Sequence, residues 1–234
     1  MGWVLIQVIG VAYQVVPMLQ ITPAYPASLT RWLTWALLAG IALLNFPASL
    51  GLWSAWAGWL LAGTVAIVFA WVTLGLLCRR RRKLPDTTLD FWRLGMASLI
   101  LLVPQPFLWP FLPSAWQDAL QTTAGIIFLL GFAVSVVSGM LYKIVPFLAW
   151  FHLQTQTGAK AGTIPNMKEF IADQGARWHL RLHALAVLCL LPAPWLPASY
   201  ALLGLALLGA AASMLWLNLL GCTRLFRRYG GRLM

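Results

Sequence analysis

The sequence predicts an all-α membrane protein with about seven transmembrane helices, arranged as two parallel three-helix repeats joined by a linker helix. Three observations carry that prediction. Hydrophobic residues make up 61% of the 234 and charged residues only 9%, with a mean hydropathy of +0.81, whereas a water-soluble domain of this length needs far more charge on its surface. Apolar stretches close to the ~20 residues that cross the hydrocarbon core recur along the chain. All 16 lysines and arginines fall on one side when the intervening segments are numbered alternately inside and outside.

The spans follow in order. Span one is Gly2 to Ile21, span two Arg31 to Phe46, and span three Ser54 to Cys78, with a turn at 47–53 between the last two. The basic run Arg79 to Lys83 ends this triplet. Span four, Phe91 to Phe111, is interrupted by Pro104, Pro106 and Pro110, each of which lacks an amide donor and breaks a helix interior. Span five, from Gln117 to Trp150, is longer than a bilayer requires, so tilt or extension into water is expected. Segment 153–176 is the one clearly polar loop, with a short surface helix expected at 166–173. Span six runs from Trp178 to Trp195 and span seven from Ala198 to Phe226, followed by a basic tail. The expected organisation is therefore 1–83 for the first repeat, 84–116 for the linker span and 117–234 for the second repeat.

The turns at 47–53, 104–118 and 192–198 hold no lysine or arginine. The positive-inside rule then predicts a multi-pass protein of the bacterial inner membrane, with a periplasmic N-terminus and a cytoplasmic C-terminus. Trp3, Trp53, Trp56, Trp59, Trp109, Trp116 and Trp195 near outer ends, with Trp32, Trp92, Trp150 and Trp178 near inner ends, read as interfacial belts. This placement also accounts for the net charge of +11 without nucleic acid, whose recognition needs the basic groups gathered on one binding face. The expected partners are the lipid bilayer and other membrane subunits or a second copy of the chain. Cys78, Cys189 and Cys222 have no metal-ligand spacing and read as small buried hydrophobes. Met1-Gly2 leads into Trp3 to Leu19 without a basic leader, so the first apolar run is expected to be retained.

Self-comparison reveals the repeat. Gly10-Val11-Ala12-Tyr13-Gln14-Val15-Val16-Pro17-Met18-Leu19 matches Gly139-Met140-Leu141-Tyr142-Lys143-Ile144-Val145-Pro146-Phe147-Leu148 in register. Glycine, tyrosine and proline at i, i+3 and i+7 share one helix face; the glycine permits close helix approach, and each proline leaves the tyrosine carbonyl without its helical donor. A freed carbonyl beside a phenol can serve a ligand or a proton path, and a kinked packing seam is the plain alternative.

Ionisable groups within a membrane are costly and mark candidate sites. Here they gather at the inner ends of spans five and six: Tyr142, Lys143, His152, His179 and His183. His179 and His183 are four apart and share a helix face. As neutral imidazoles they can ligate haem iron or copper, with His152 and His183 as metal ligands and Tyr13 and Tyr142 lining the site. Histidines facing headgroups are the plain alternative, and no catalytic residue stands out.

The segment Gly2-Trp3, the motif from Gly10 to Met18 with Thr22-Pro23-Ala24-Tyr25-Pro26, and the run from Met140 to His152 resemble bacterial membrane proteins of the heme-copper oxidase subunit I-like and NnrS-like superfamily. The resemblance covers mainly spans one, five and six. It implies a haem- or copper-associated protein of redox, respiratory or nitric-oxide-related type. The superfamily's histidines in earlier spans are missing before His152, as are the histidine pair and tyrosine of an oxygen-reducing centre, so the chain is expected to be a truncated or accessory relative rather than a complete oxidase. The three-plus-one-plus-three order also resembles sugar transporters of the SWEET type, with Pro17, Pro47, Pro146 and Pro192 in the spans that carry hinge prolines there. A small-solute transporter is the alternative expectation, and a scaffold subunit held by seams such as Gly204 to Gly209 is a third.

Overall fold

The computed structural model describes residues 1–45, 52–81, 85–157 and 165–231. Residues 47–51 of the expected turn at 47–53 and the basic residues Arg82, Lys83, Lys160 and Arg232 lie outside them, and 52–53 begin the next helix. Helices are the only regular elements among the described residues, and the α-helices are α1 (Gly2–Gln20), α2 (Ala27–Leu44), α3 (Leu52–Cys78), α4 (Thr87–Leu102), α5 (Gln105–Leu108), α6 (Ser114–Ile126), α7 (Ser135–Thr157), α8 (Asp173–Leu190) and α9 (Ala198–Arg228). Six helical stretches are long and apolar enough to cross a bilayer. The remaining long helix, α8, carries Asp173, Arg177 and Arg181 in its 18 residues. An all-α, multi-pass membrane protein is the result, as composition dictates: in hydrocarbon the backbone has to satisfy its own amides and carbonyls, and a helix does so within one segment.

Local chemistry sets the breaks. α4 stops at Leu102, and Pro104, Pro106 and Pro110 leave only the four-residue α5 and a 3-10 turn at Trp109–Phe111. Span five is continuous from α6 to α7 through a π-helical stretch, Ile127–Val134, wound with i to i+5 bonds of a kind often found beside functional sites. The segment expected as a surface helix is a single 3-10 turn, Met167–Glu169. α1 and α7 run through Pro17 and Pro146.

The chain packs as two compact units, Met1–Leu84 with Gly95–Ala133, and Pro85–Leu94 with Val134–Met234. α4 thus gives its first turns to the second unit and its later turns to the first. In the first unit, α2 and α3 cross at small residues: a Cβ added to Gly58 would lie 2.7 Å from the Leu44 nitrogen and 2.8 Å from the Gly40 oxygen. Ile9, Ala12, Val16, Leu37, Phe69 and Ala70 are buried in this unit, and the Trp59 indole donates to the Val103 carbonyl at 3.1 Å, capping the end of α4. In the second unit, α8 and α9 form the corresponding hairpin, with Leu190 filling the space over Gly204. Leu153, Phe170, Cys222 and Phe226 pack as one buried cluster.

Three expectations are corrected by packing. Gly10, the glycine of the first repeated motif, has open space where a Cβ would stand, whereas its counterpart Gly139 lies against Phe91 and Thr88; the motif's glycine admits a neighbour in one copy only. Trp92, expected at an interface, is 1% exposed, because Gly139 leaves room for its ring. In the Gly204 to Gly209 seam only Gly204 has a neighbour against it; Gly209 faces open space.

Candidate functional site

The second unit buries a set of polar side chains that its apolar helices do not need for packing. Asp86 starts it: as the residue before α4, its carboxylate accepts from the Thr88 amide at 3.0 Å and from the Thr88 hydroxyl at 2.7 Å, satisfying donors that a helix start leaves open. The same carboxylate pairs with Lys143 of α7 at 2.7 Å. Burial opposes ionisation of Asp86, but the hydrogen bonds from Lys143 and Thr88 and the lysine charge outweigh it and hold the carboxyl below its ordinary value.

One residue before Lys143, Tyr142 points into the unit. Its hydroxyl accepts from Asn218 Nδ2 of α9 at 2.9 Å and lies 3.0 Å from His179 Nδ1 of α8. With Asn218 N–H donating to the Tyr142 oxygen, the Tyr142 O–H is free to donate to His179 Nδ1, an arrangement that goes with the neutral tautomer carrying its proton on Nε2. One turn further along α8, His183 Nε2 meets the Ser135 hydroxyl at 2.9 Å, at the junction of the π-helical stretch and α7. Both histidines and Ser135 are buried. Phe91 lies against both rings, with centroids 5.0 Å from His179 and 6.2 Å from His183.

Of the six residues singled out from sequence, the structure brings Tyr142, His179 and His183 together, and Lys143, next to Tyr142 on α7, pairs with Asp86. His152 is exposed and its Nδ1 bonds the Leu148 carbonyl one turn back on its own helix; an i, i+4 partner satisfies it locally. Tyr13 lies in the first unit, edge-on to Tyr25 with centroids 5.2 Å apart, and its hydroxyl donates to the Leu29 carbonyl at 3.5 Å. Sequence reading missed Asn218, Ser135, Asp86 and Phe91. Asn218 was detectable as an amide deep in the apolar run of α9, and Asp86 as a helix cap two residues before a threonine.

The repeat sharpens the meaning of the histidines. Aligned without gaps on the pairs Arg31-Trp32 and Arg177-Trp178, Leu33 and Leu37 fall on His179 and His183, Gly40 on Ala186 and Gly58 on Gly204. Leu33 and Leu37 are buried in the first unit as the two histidines are in the second. A hairpin of this kind is served by leucine at both positions, so packing does not call for imidazole.

His179 and His183 stand on one helix, so the two cannot ligate one haem from opposite faces, and Phe91 lies against both rings. Among the described residues no group of three or more His, Cys, Asp or Glu side chains is placed to hold a metal ion, and His152 does not join the pair. No family model, curated protein or solved structure matches the chain, so the polar network of the second unit carries the functional argument.

Proposed function

We propose that this protein is a small-solute transporter of three-plus-one-plus-three architecture in a bacterial inner membrane, with the second unit carrying protons through the buried network of Lys143, Asp86, Tyr142, His179, His183 and Ser135. The reading is supported above all by the replacement of Leu33 and Leu37 of one hairpin by His179 and His183 in the other. Buried polar groups in a membrane mark ion and proton pathways, and imidazole is the side chain whose ordinary titration lies nearest neutrality. With the N-terminus outside, the Asp86–Lys143 pair stands at the cytoplasmic mouth. A proton entering there reaches the Tyr142 hydroxyl and His179, and one helical turn along α8 takes it to His183 and Ser135. Protonation of His179 at Nδ1 releases the Tyr142 hydroxyl proton from that bond, so occupancy by a proton rearranges the link between α7 and α8.

Proteoliposomes holding the full chain, a trapped pH indicator and an imposed potassium diffusion potential test this. Proton entry should exceed that of empty vesicles. His179→Leu with His183→Leu, which copies the first hairpin, should return it to the background. Equal flux with the double leucine variant, or no flux above empty vesicles, refutes the reading.

A second reading, a haem- or copper-associated redox protein, is supported by the i, i+4 spacing of His179 and His183 on one buried face and opposed by the absence of a third ligand beside them among the described residues. Purified protein from haem- and copper-replete cells with no Soret absorbance and no stoichiometric copper disposes of it.

A further inference from the structure

The carboxamide of Asn218 on α9 meets two other helices. Its Nδ2 donates to the Tyr142 hydroxyl of α7 at 2.9 Å. Against it lies Gly175, in the first turn of α8: a Cβ built there would stand 2.6 Å from Asn218 Oδ1, 3.2 Å from Cγ and 3.3 Å from Nδ2. The amide group therefore occupies space that any other residue at 175 would fill. Packing does not call for this arrangement. In the gapless register of the repeat, Leu29 falls on Gly175, Leu33 on His179 and Val72 on Asn218. Where the first hairpin has three apolar residues, the second has a seat, an imidazole and an amide around one tyrosine. In the first unit the Tyr13 hydroxyl turns instead to the Leu29 carbonyl at 3.5 Å.

We propose that Asn218 is a positioning residue of the proton path, a two-way partner whose carboxamide turns over on Gly175 each time His179 gains or loses a proton. The inference rests on the proton-carrying reading above and supplies a step that reading leaves open, the destination of the Tyr142 hydrogen. With His179 neutral, Asn218 N–H donates to the Tyr142 oxygen and the Tyr142 O–H donates to Nδ1. A proton added at Nδ1 makes that nitrogen a donor, so the Tyr142 oxygen accepts from it and the Tyr142 O–H needs a new acceptor. A buried O–H left without one carries its full desolvation cost. A half-turn about the Asn218 Cβ–Cγ bond exchanges Nδ2 for Oδ1, which takes the hydrogen, and that torsion is soft and roughly two-fold. The only net change is the one proton on His179. A carboxamide presents a donor and an acceptor of nearly equal shape, and Gly175, with no side chain, admits both senses. The groups that face His179 are Tyr142 from α7, His183 from its own helix and the non-titrating Phe91 from α4, while Lys143 and Asp86 beside them are paired with each other.

The test uses the full chain in detergent micelles, labelled with 15N in its asparagine and histidine side chains and followed by NMR. Asn45→Ser and Asn166→Ser replace the other two asparagines and leave Asn218 the sole labelled amide. On acidification the Asn218 amide resonance should shift with the same midpoint as the His179 ring nitrogens. The shift should persist in His183→Leu and vanish in His179→Leu. Proton entry into proteoliposomes should fall about tenfold in Asn218→Leu, the factor that about 1.4 kcal/mol of added barrier, one unmet hydrogen bond, supplies. Gly175→Ala, which pushes the carboxamide off its seat, should lose flux likewise although alanine is the better helix former, and it decides the matter if Asn218→Leu fails to fold. An Asn218 amide that stays fixed while His179 titrates, a shift that survives His179→Leu, or undiminished flux in a folded variant overturns the proposal. No flux in the parent refutes the proton-carrying reading instead, and the amide shift still decides whether Asn218 turns with His179.

Discussion

Tyr142→Phe removes one oxygen from the centre of the polar network and leaves the ring that packs on Phe91. Two hydrogen bonds disappear, one from Asn218 at 2.9 Å and one to His179 at 3.0 Å. Side-chain hydrogen bonds between membrane helices contribute about 0.6 kcal/mol on average and up to about 1.7, so the loss should lie between about 1 and 3 kcal/mol. The upper half of that range is expected, since the Asn218 amide and the His179 nitrogen are both left without the partner they had. Titration of the full chain from mild detergent into SDS, followed by circular dichroism, measures it. A double-mutant cycle of Tyr142→Phe with His179→Leu isolates the link between α7 and α8, with an expected coupling of at least about 0.6 kcal/mol. A loss below about 0.5 kcal/mol, or additivity within about 0.3, would show that the 3.0 Å approach is not an energetic bond and would remove Tyr142 from the proton path.

Four further outcomes follow from the packing. His179→Leu with His183→Leu should unfold at no lower SDS fraction than the parent, because leucine occupies the equivalent buried positions of the first hairpin; a large destabilisation would show that the imidazoles are structural. Asp86→Asn keeps an acceptor for the Thr88 amide but loses the Lys143 charge pair. The folded-state carboxyl lies below its ordinary value of 3.8, so its contribution is present above that value and is lost as pH falls through the folded one. Parent and variant should therefore differ by about 1 kcal/mol at pH 6 and converge as the pH falls through the folded-state value in SDS titrations at each pH. Gly58→Val should destabilise by at least about 1–3 kcal/mol, because its Cβ meets backbone at 2.7 Å, while Gly10→Val, in open space, should be near neutral. Ile21 closes α1 at φ 54, where a β-branched residue is strained, so Ile21→Gly should raise stability by about 0.5–1 kcal/mol in the same titration.

The membrane class, the helical content, the break at Pro104 to Pro110 and the polar pair His179 and His183 are all legible in the sequence. Each rests on a local rule: hydrocarbon admits only self-satisfied backbone, proline lacks an amide donor, and residues four apart on a helix share a face. The repeat is legible too, and the Arg31-Trp32 and Arg177-Trp178 pairs extend it into the hairpins. The partners of the site are a different matter. Whether His179 would meet Tyr142, His152 or lipid depends on which faces α7, α8 and α9 turn toward one another, and hydropathy is nearly blind to rotation when a helix is apolar on every side. Gly139 illustrates the difference: it matches Gly10 in sequence, yet only Gly139 has Phe91 and Trp92 packed over it. Asn218 and Ser135 acquire meaning from what stands within 3 Å of them. Composition and local pattern are enough to assign this protein its solvent, its helices and its costly residues. Which of those residues are joined is settled only in the folded molecule, because side chains from helices far apart in the chain make that choice.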